Sequence, residues 1–348
     1  MSSMQRGDIF VTALKAGRCK REETMKYHKL ALTFAAFATL AIGQAEAKTR
    51  LTLANSLSAD HPTSTALQQF ADEVKERTDG EVTIQLYLNA VLGSEREVLE
   101  QLQNGAVDMT RVSAGNLENF DPIFKAFTLP YIFKGEDHFY RVMTGPVADE
   151  VYGATKNSGF VGLTFFDSGA RSFYTAKKPI NTPDDLSGQK IRVLNSNSSI
   201  RMVEMMGGSP TPMPYAEIYT ALQMSVIDGA ENNITALTIG RHGEVAKFYS
   251  QDEHLRIPDF LVISNAAVEK LTDEQNAIIK ESALHATESF RTIWDKAVKD
   301  ATTEAEEMGV TFVTPDQAPF RAKVMPLLDE YRDNPDFGGL LTQILETE

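Results

Sequence analysis

From residue 49 onward, short apolar runs alternate with stretches of helical period. "TRLTLANS" (49–56) predicts a strand, and residues 61–79 predict a helix with Leu67, Phe70 and Val74 on one face. "EVTIQLYL" (81–88) alternates as a strand does, with Val82, Ile84, Leu86 and Leu88 on one side. A helix over 94–103 and a strand over 106–113 follow. This β-α-β-α-β opening predicts an α/β domain with a mostly parallel sheet. Further strands are read at 160–169, 171–175 and 189–195, with the Pro/Asp-rich stretch 177–188 as a loop.

A second pattern concerns how domains connect. Thr272 and Gln275 form a capping box, and neither Gly nor Pro occurs from there to Met308. Those 37 residues amount to about 55 Å of helix. Ile278, Ile279, Ala283, Ala286, Phe290, Ile293, Trp294, Ala297 and Val298 form its apolar stripe. Such a helix is long enough to brace two domains; a kinked pair of helices is the alternative. With 348 residues, two domains are the default. No internal repeat is found.

The hydrophobic pattern before residue 49 is of another kind. Lys26 and Lys29 precede an apolar run, Leu30 to Ile42, and Ala45-Glu46-Ala47 has the small-x-small form of a cleavage site. Residues 25–47 read as a secretory signal peptide, too short in its apolar core to span a bilayer comfortably. Residues 1–24 then form an upstream extension with a misassigned start, or a cytosolic tail. Residues 1–47 hold seven Lys/Arg and four Asp/Glu, so a whole-chain charge of −14 becomes −17 for the remaining 301 residues. That surface repels nucleic acid and anionic lipid. The only cysteine, Cys19, lies in the extension, which leaves the exported part without a disulfide or thiolate.

Catalytic signatures are missing. H-E-x-x-H, G-x-S-x-G, G-x-x-x-x-G-K-[ST] and G-x-G-x-x-G do not occur. Ser187-x-x-Lys190 falls in a loop entering a strand, where the two side chains share no helix face. The histidines show no paired metal-ligand spacing. The sequence thus predicts no catalytic residue, no metal and no cofactor. Arg192, inside "KIRVL" (190–194), is more informative, because Ile191 and Val193 face away from it. On an inward face it needs an anion, and its planar fork suits a carboxylate. On an edge strand it would be a solvated arginine; pattern alone leaves both open.

"GARSFYTAKKPINTPDDLSGQKIRV" and "MGGSPTPMPYAEIYTALQMSVIDGAENN" resemble the DctP-type solute-binding proteins of TRAP transporters. The likeness covers nearly all of 48–335. It implies an α/β fold of two lobes, as in type II periplasmic binding proteins, with a hinge and a long helix crossing both. The lobes are expected at 48–168 with 258–296, and at 169–257 with 297–348. It also implies a periplasmic location and membrane permease subunits as partners. By resemblance, Arg192 pairs with a ligand carboxylate and Arg171 supports it. Asn232, followed by Asn233 where the family usually has Pro, is a further ligand contact. Tyr215 is expected as a ligand wall with Tyr219 in the core, and Asn195 is a strand-end candidate.

Residues of the first lobe are expected to vary with substrate. Glu95 either meets ligand hydroxyls or simply favours its helix dipole. Arg111, in "DMTRVS", sits on an expected central strand, where ligand contact explains it better than solvation. His61 either donates to a hydroxyl or caps its helix. His254 falls where relatives bring a histidine to the cleft. Together these suggest a hexuronate or related sugar acid. A C4-dicarboxylate, with Arg111 on the second carboxylate, is the alternative, and a ligand sensor for a receptor kinase shares the same site.

Overall fold

The computed structural model describes residues Lys48–Glu348. The expected signal peptide, the upstream extension and Cys19 lie outside the described residues. Among the described residues there are eleven strands: β1 (Thr49–Ala54), β2 (Val82–Tyr87), β3 (Met109–Ser113), β4 (Phe160–Asp167), β5 (Arg171–Thr175), β6 (Lys190–Val193), β7 (Ser209–Pro212), β8 (Gly229–Asn232), β9 (Phe248–Leu255), β10 (Pro258–Ser264) and β11 (Thr311–Val313). They form two sheets, ordered β2-β1-β3-β10-β4 and β11-β9-β5-β8-β6-β7. The protein is a two-lobed α/β molecule, one sheet to each lobe.

The opening strands β1, β2 and β3 are parallel, as their alternation with helices predicts. The sheet as a whole is mixed, which corrects the mostly parallel expectation. β10 enters from far along the chain and runs antiparallel to both β3 and β4. The second sheet mixes directions in the same way.

The chain crosses between the sheets from β4 to β5 and from β9 to β10. Gly169 sits in the first crossing at φ +72°, where an added Cβ would lie 3.1 Å from the Trp294 ring. The long helix is continuous over Asp273–Glu307, about 52 Å, so the kinked alternative does not hold. Thr272 accepts from the Gln275 amide and the Gln275 side chain reaches back to Thr272, completing the box. Ile279, Ala283, Phe290 and Trp294 pack in the core of the first sheet. Ala301 and Ala305 pack in a core of the second sheet. One helix therefore contributes apolar surface to both lobes.

The helices Gln317–Arg332 and Gly338–Glu346 were not read from the pattern. Phe320, Leu327 and Leu341 enter a core that also holds Phe165 and Phe260 of the first sheet and Phe173 and Ile191 of the second. No helix among the described residues is long and apolar enough to cross a membrane.

Gly229 opens β8, the strand that carries Glu231 and Asn232. A Cβ there would stand 2.4 Å from the Tyr174 carbonyl oxygen, on the neighbouring strand β5. Gly229→Ala is expected to lose about 2–4 kcal/mol of stability, as forced overpacking against backbone does. Denaturant unfolding followed by circular dichroism checks this, and an unchanged midpoint would contradict the close approach.

Candidate functional site

Both sheets present charged residues to one cavity. Arg192 lies on β6, between β8 and β7 and so away from either edge of its sheet. Ile191, Arg192 and Val193 are all buried, with Arg192 1% exposed. The edge-strand alternative is thereby removed. Its Nε and Nη2 both donate to the Met213 carbonyl, at 3.0 and 2.9 Å. Its Nη1 has no partner, and no carboxylate among the described residues pairs with it. Burial pulls its pKa below the ordinary arginine value, though Glu231 and Tyr174 push the other way. A guanidinium has five N–H donors, and only two find protein acceptors here.

Arg171, on β5, has every guanidinium nitrogen bonded within the protein. Nε donates to Glu231 Oε2 at 2.6 Å and Nη2 to Glu231 Oε1 at 2.9 Å. Nη1 donates to Asn232 Oδ1 at 2.6 Å. The Asn233 amide also donates to that oxygen, at 2.9 Å, which fixes the amide's orientation. Asn232 Nδ2 is left as a donor without a described partner, in a residue lining the cavity. Arg171 therefore acts on a guest through Asn232 and not as a second free cation. Asn233, where the family pattern has Pro, accepts from Thr235 N and Oγ1 and starts the next turn.

The facing wall comes from the first sheet. Arg111 on β3 donates to Glu95 Oε1 at 2.7 Å and, through Nη2, to Asp259 Oδ2 on β10. Leu261 stands directly opposite Arg111, so Asp259 is its diagonal neighbour on the same face. Glu95, first in helix Glu95–Gln103, also accepts from Ser56 Oγ, Ser113 N and Asn116 Nδ2. Four donors fill a carboxylate's capacity, so Glu95 organises this wall and has little left for a ligand hydroxyl.

His61 caps its helix and also borders the cavity. Its Nδ1 accepts from Thr63 N at 3.2 Å, capping helix Pro62–Arg77, and the ring lines the cavity 6.0 Å from Trp294. Burial, helped by Arg111, pushes its pKa down to about 3. The ring is neutral, and with Nδ1 accepting, Nε2 carries the proton. Tyr215 lines the cavity, and burial pushes its hydroxyl up to about 12, keeping it protonated.

A cavity between two sheets, lined with fixed donors and one uncompensated guanidinium, is the layout of a binding protein. The family model described as bacterial extracellular solute-binding protein, family 7, matches residues 53–334. The chain belongs to this family, the DctP-type solute-binding proteins of TRAP transporters. The Salmonella typhimurium protein YiiZ is 42% identical over 81% of this chain and 87% of its own length. A TRAP periplasmic solute-binding protein of Anaerococcus prevotii, solved with bound D-glucuronate, is 38% identical with a TM-score of 0.84. It covers 86% of this chain and 98% of its own. One from Xanthobacter autotrophicus with bound β-D-galacturonate is 36% identical with a TM-score of 0.83, over 86% and 100%.

Of the residues expected in this solute-binding site, Arg192, Arg171, Asn232, Arg111, Glu95, Tyr215 and His61 meet at one cavity. Asn195 lies at an adjoining opening. His254 does not reach the cavity, which corrects its expected place in the cleft. It is fully buried, stacked on Phe173 at 4.3 Å, with Nδ1 2.8 Å from Asp252 and Nε2 3.7 Å from Glu231. Its position steadies the carboxylate that holds Arg171. Tyr219 is likewise not in the core: it is half-buried and donates to Glu244 at 2.6 Å. Sequence reasoning missed Asp259 and Trp294. Asp259 had a readable signal, a lone charge opening the apolar run "FLVIS".

Two outcomes follow from this charge arrangement. Removing Arg171 strands the buried Glu231, so Arg171→Met is expected to cost about 3–5 kcal/mol of stability. Arg192→Met strands no acid and should leave the ligand-free melting temperature unchanged or higher; parallel calorimetric scans compare the two. Burial lowers the His254 pKa, but Asp252 and Glu231 outweigh it and raise it from 6.5 to about 9. Its stabilisation is thus complete below pH 6.5 and lost as pH rises through about 9. Melting temperature should fall across that window in the wild type and fall less in His254→Asn.

Proposed function

We propose that the protein is the extracytoplasmic solute-binding component of a TRAP transporter and captures a hexuronate or related sugar acid. The ligand carboxylate docks on Arg192, the lobes close about the crossings between β4 and β5 and between β9 and β10, and the loaded form delivers its ligand to the membrane subunits. The observation that carries this reading is Arg192 itself, a buried guanidinium whose Nη1 has no protein partner and which has no acid of its own. Asn232 Nδ2 and the protonated Nε2 of His61 are donors suited to the rest of an oxygen-rich guest. Similar chains solved with glucuronate and galacturonate support the ligand class. A C4-dicarboxylate fits less well, because the arginine that would take its second carboxylate already holds Glu95 and Asp259.

A thermal-shift panel tests the ligand class, since a ligand of the native state raises its melting temperature. Glucuronate or galacturonate is expected to shift it, with malate and succinate inert; the reverse ranking would reject the assignment. Arg192→Ala removes charge-assisted bonds of about 1.5–3 kcal/mol each, so titration calorimetry should show uronate affinity falling at least about 100-fold.

A further inference from the structure

The first-sheet wall contains a carboxylate oxygen that the protein does not use. Asp259 is buried, 3% exposed, and lines the cavity. Its Oδ2 is taken by Arg111, while Oδ1 accepts no hydrogen bond from any described residue. Nor is Oδ1 among the sealed unpartnered atoms, so it stays accessible from the cavity. Among the described residues, Arg111 is the one cation ion-paired with this carboxylate, shared between Asp259 and Glu95, while Arg171 acts on it from the other wall without a bond. That wall therefore holds two acids to one base. Across the cavity, Arg171 is matched by Glu231, and Arg192 alone has no acid.

We propose that Asp259 is the specificity-determining residue of the cavity, accepting hydrogen bonds from ligand hydroxyls through Oδ1 and repelling a second carboxylate at the end remote from Arg192. This rests on Arg192 as the anchor of the first carboxylate. An acid anchored there presents its far end to a wall of negative sign. A hydroxyl is welcome because Oδ1 is acceptor-only when ionised. A second carboxylate brings no donor and meets a like charge in a low-dielectric pocket. The site thus separates sugar mono-acids from sugar di-acids of the same carbon count. Burial and Glu95 raise the Asp259 pKa against the pull of Arg111 and, more weakly, Arg171.

Titration calorimetry of the full protein with D-glucuronate, D-glucarate and the monomethyl ester of D-glucarate provides the test. Wild type is expected to prefer glucuronate over glucarate by roughly 30-fold or more, and the monoester over glucarate by roughly 10-fold or more. Asp259→Asn keeps the shape and removes the charge, and should narrow the glucuronate-to-glucarate ratio at least about 10-fold. Equal wild-type affinity for mono-acid and di-acid would overturn the proposal, as would an unchanged ratio in the variant. A residue that merely positions Arg111 would weaken both ligands alike and leave that ratio alone. Should Asp259→Asn not fold, Asp259→Ser removes the same charge, and the monoester comparison reads the effect with no substitution. Failure of the anchor is separable, since it shows as unchanged glucuronate affinity in Arg192→Ala.

Discussion

The arrangement of this protein turns on a guanidinium held out of water without an acid of its own. Transferring a charge into a low-dielectric interior costs several kcal/mol unless it is paired. Arg192 receives only the Met213 carbonyl, a dipole bonded along one edge of the fork. That bond fixes the plane of the guanidinium and leaves Nη1 free. The strand bearing it is interior to a six-stranded sheet and buried, so the guanidinium cannot reach bulk water to relieve the deficit. On the proposed reading, an anion entering the cavity removes the deficit.

The other charges around the cavity are compensated where they stand, and this gives the free one its meaning. Arg171 grips Glu231, and Glu231 in turn has His254 and Asp252 behind it. These groups form a rigid backing that presents the Asn232 amide in one orientation. Arg111 is spent on Glu95 and Asp259, and Glu95 is spent on four donors. Three arginines line one cavity, yet a single one is available to an incoming acid. Counting cations would have suggested a polyanion site; counting their partners points to one negative charge.

The scaffold makes such a cavity possible by joining two sheets at short crossings and along one helix. Trp294, on the long helix, packs with Phe290 in the first lobe and also lines the cavity. The helix thus carries part of the site as well as bracing the lobes. The C-terminal helices extend a shared core under both sheets.

Local chemistry made much of this legible in advance. The strand alternation of 81–88, the helix period of 61–79 and the capping box at Thr272 each predicted their element, because neighbours in sequence are neighbours on those surfaces. The unusual setting of Arg192 and Arg111 within apolar runs was readable too, since burial of an arginine demands an explanation from any fold. What each arginine pairs with was not readable. Asp259 lies 148 positions from Arg111, and Glu231 lies 60 positions from Arg171. Those pairings depend on strand register and on β10 returning antiparallel to β3. His254 failed as a cleft residue for the same reason: one strand places its side chains on both faces, and only the packed sheet settles which face meets the cavity. Sequence alone determined that arginines would stand within apolar strands, because the hydrophobic pattern is local. Which of those charges is left for a guest was decided by the tertiary structure, because compensation is a matter of distance in space.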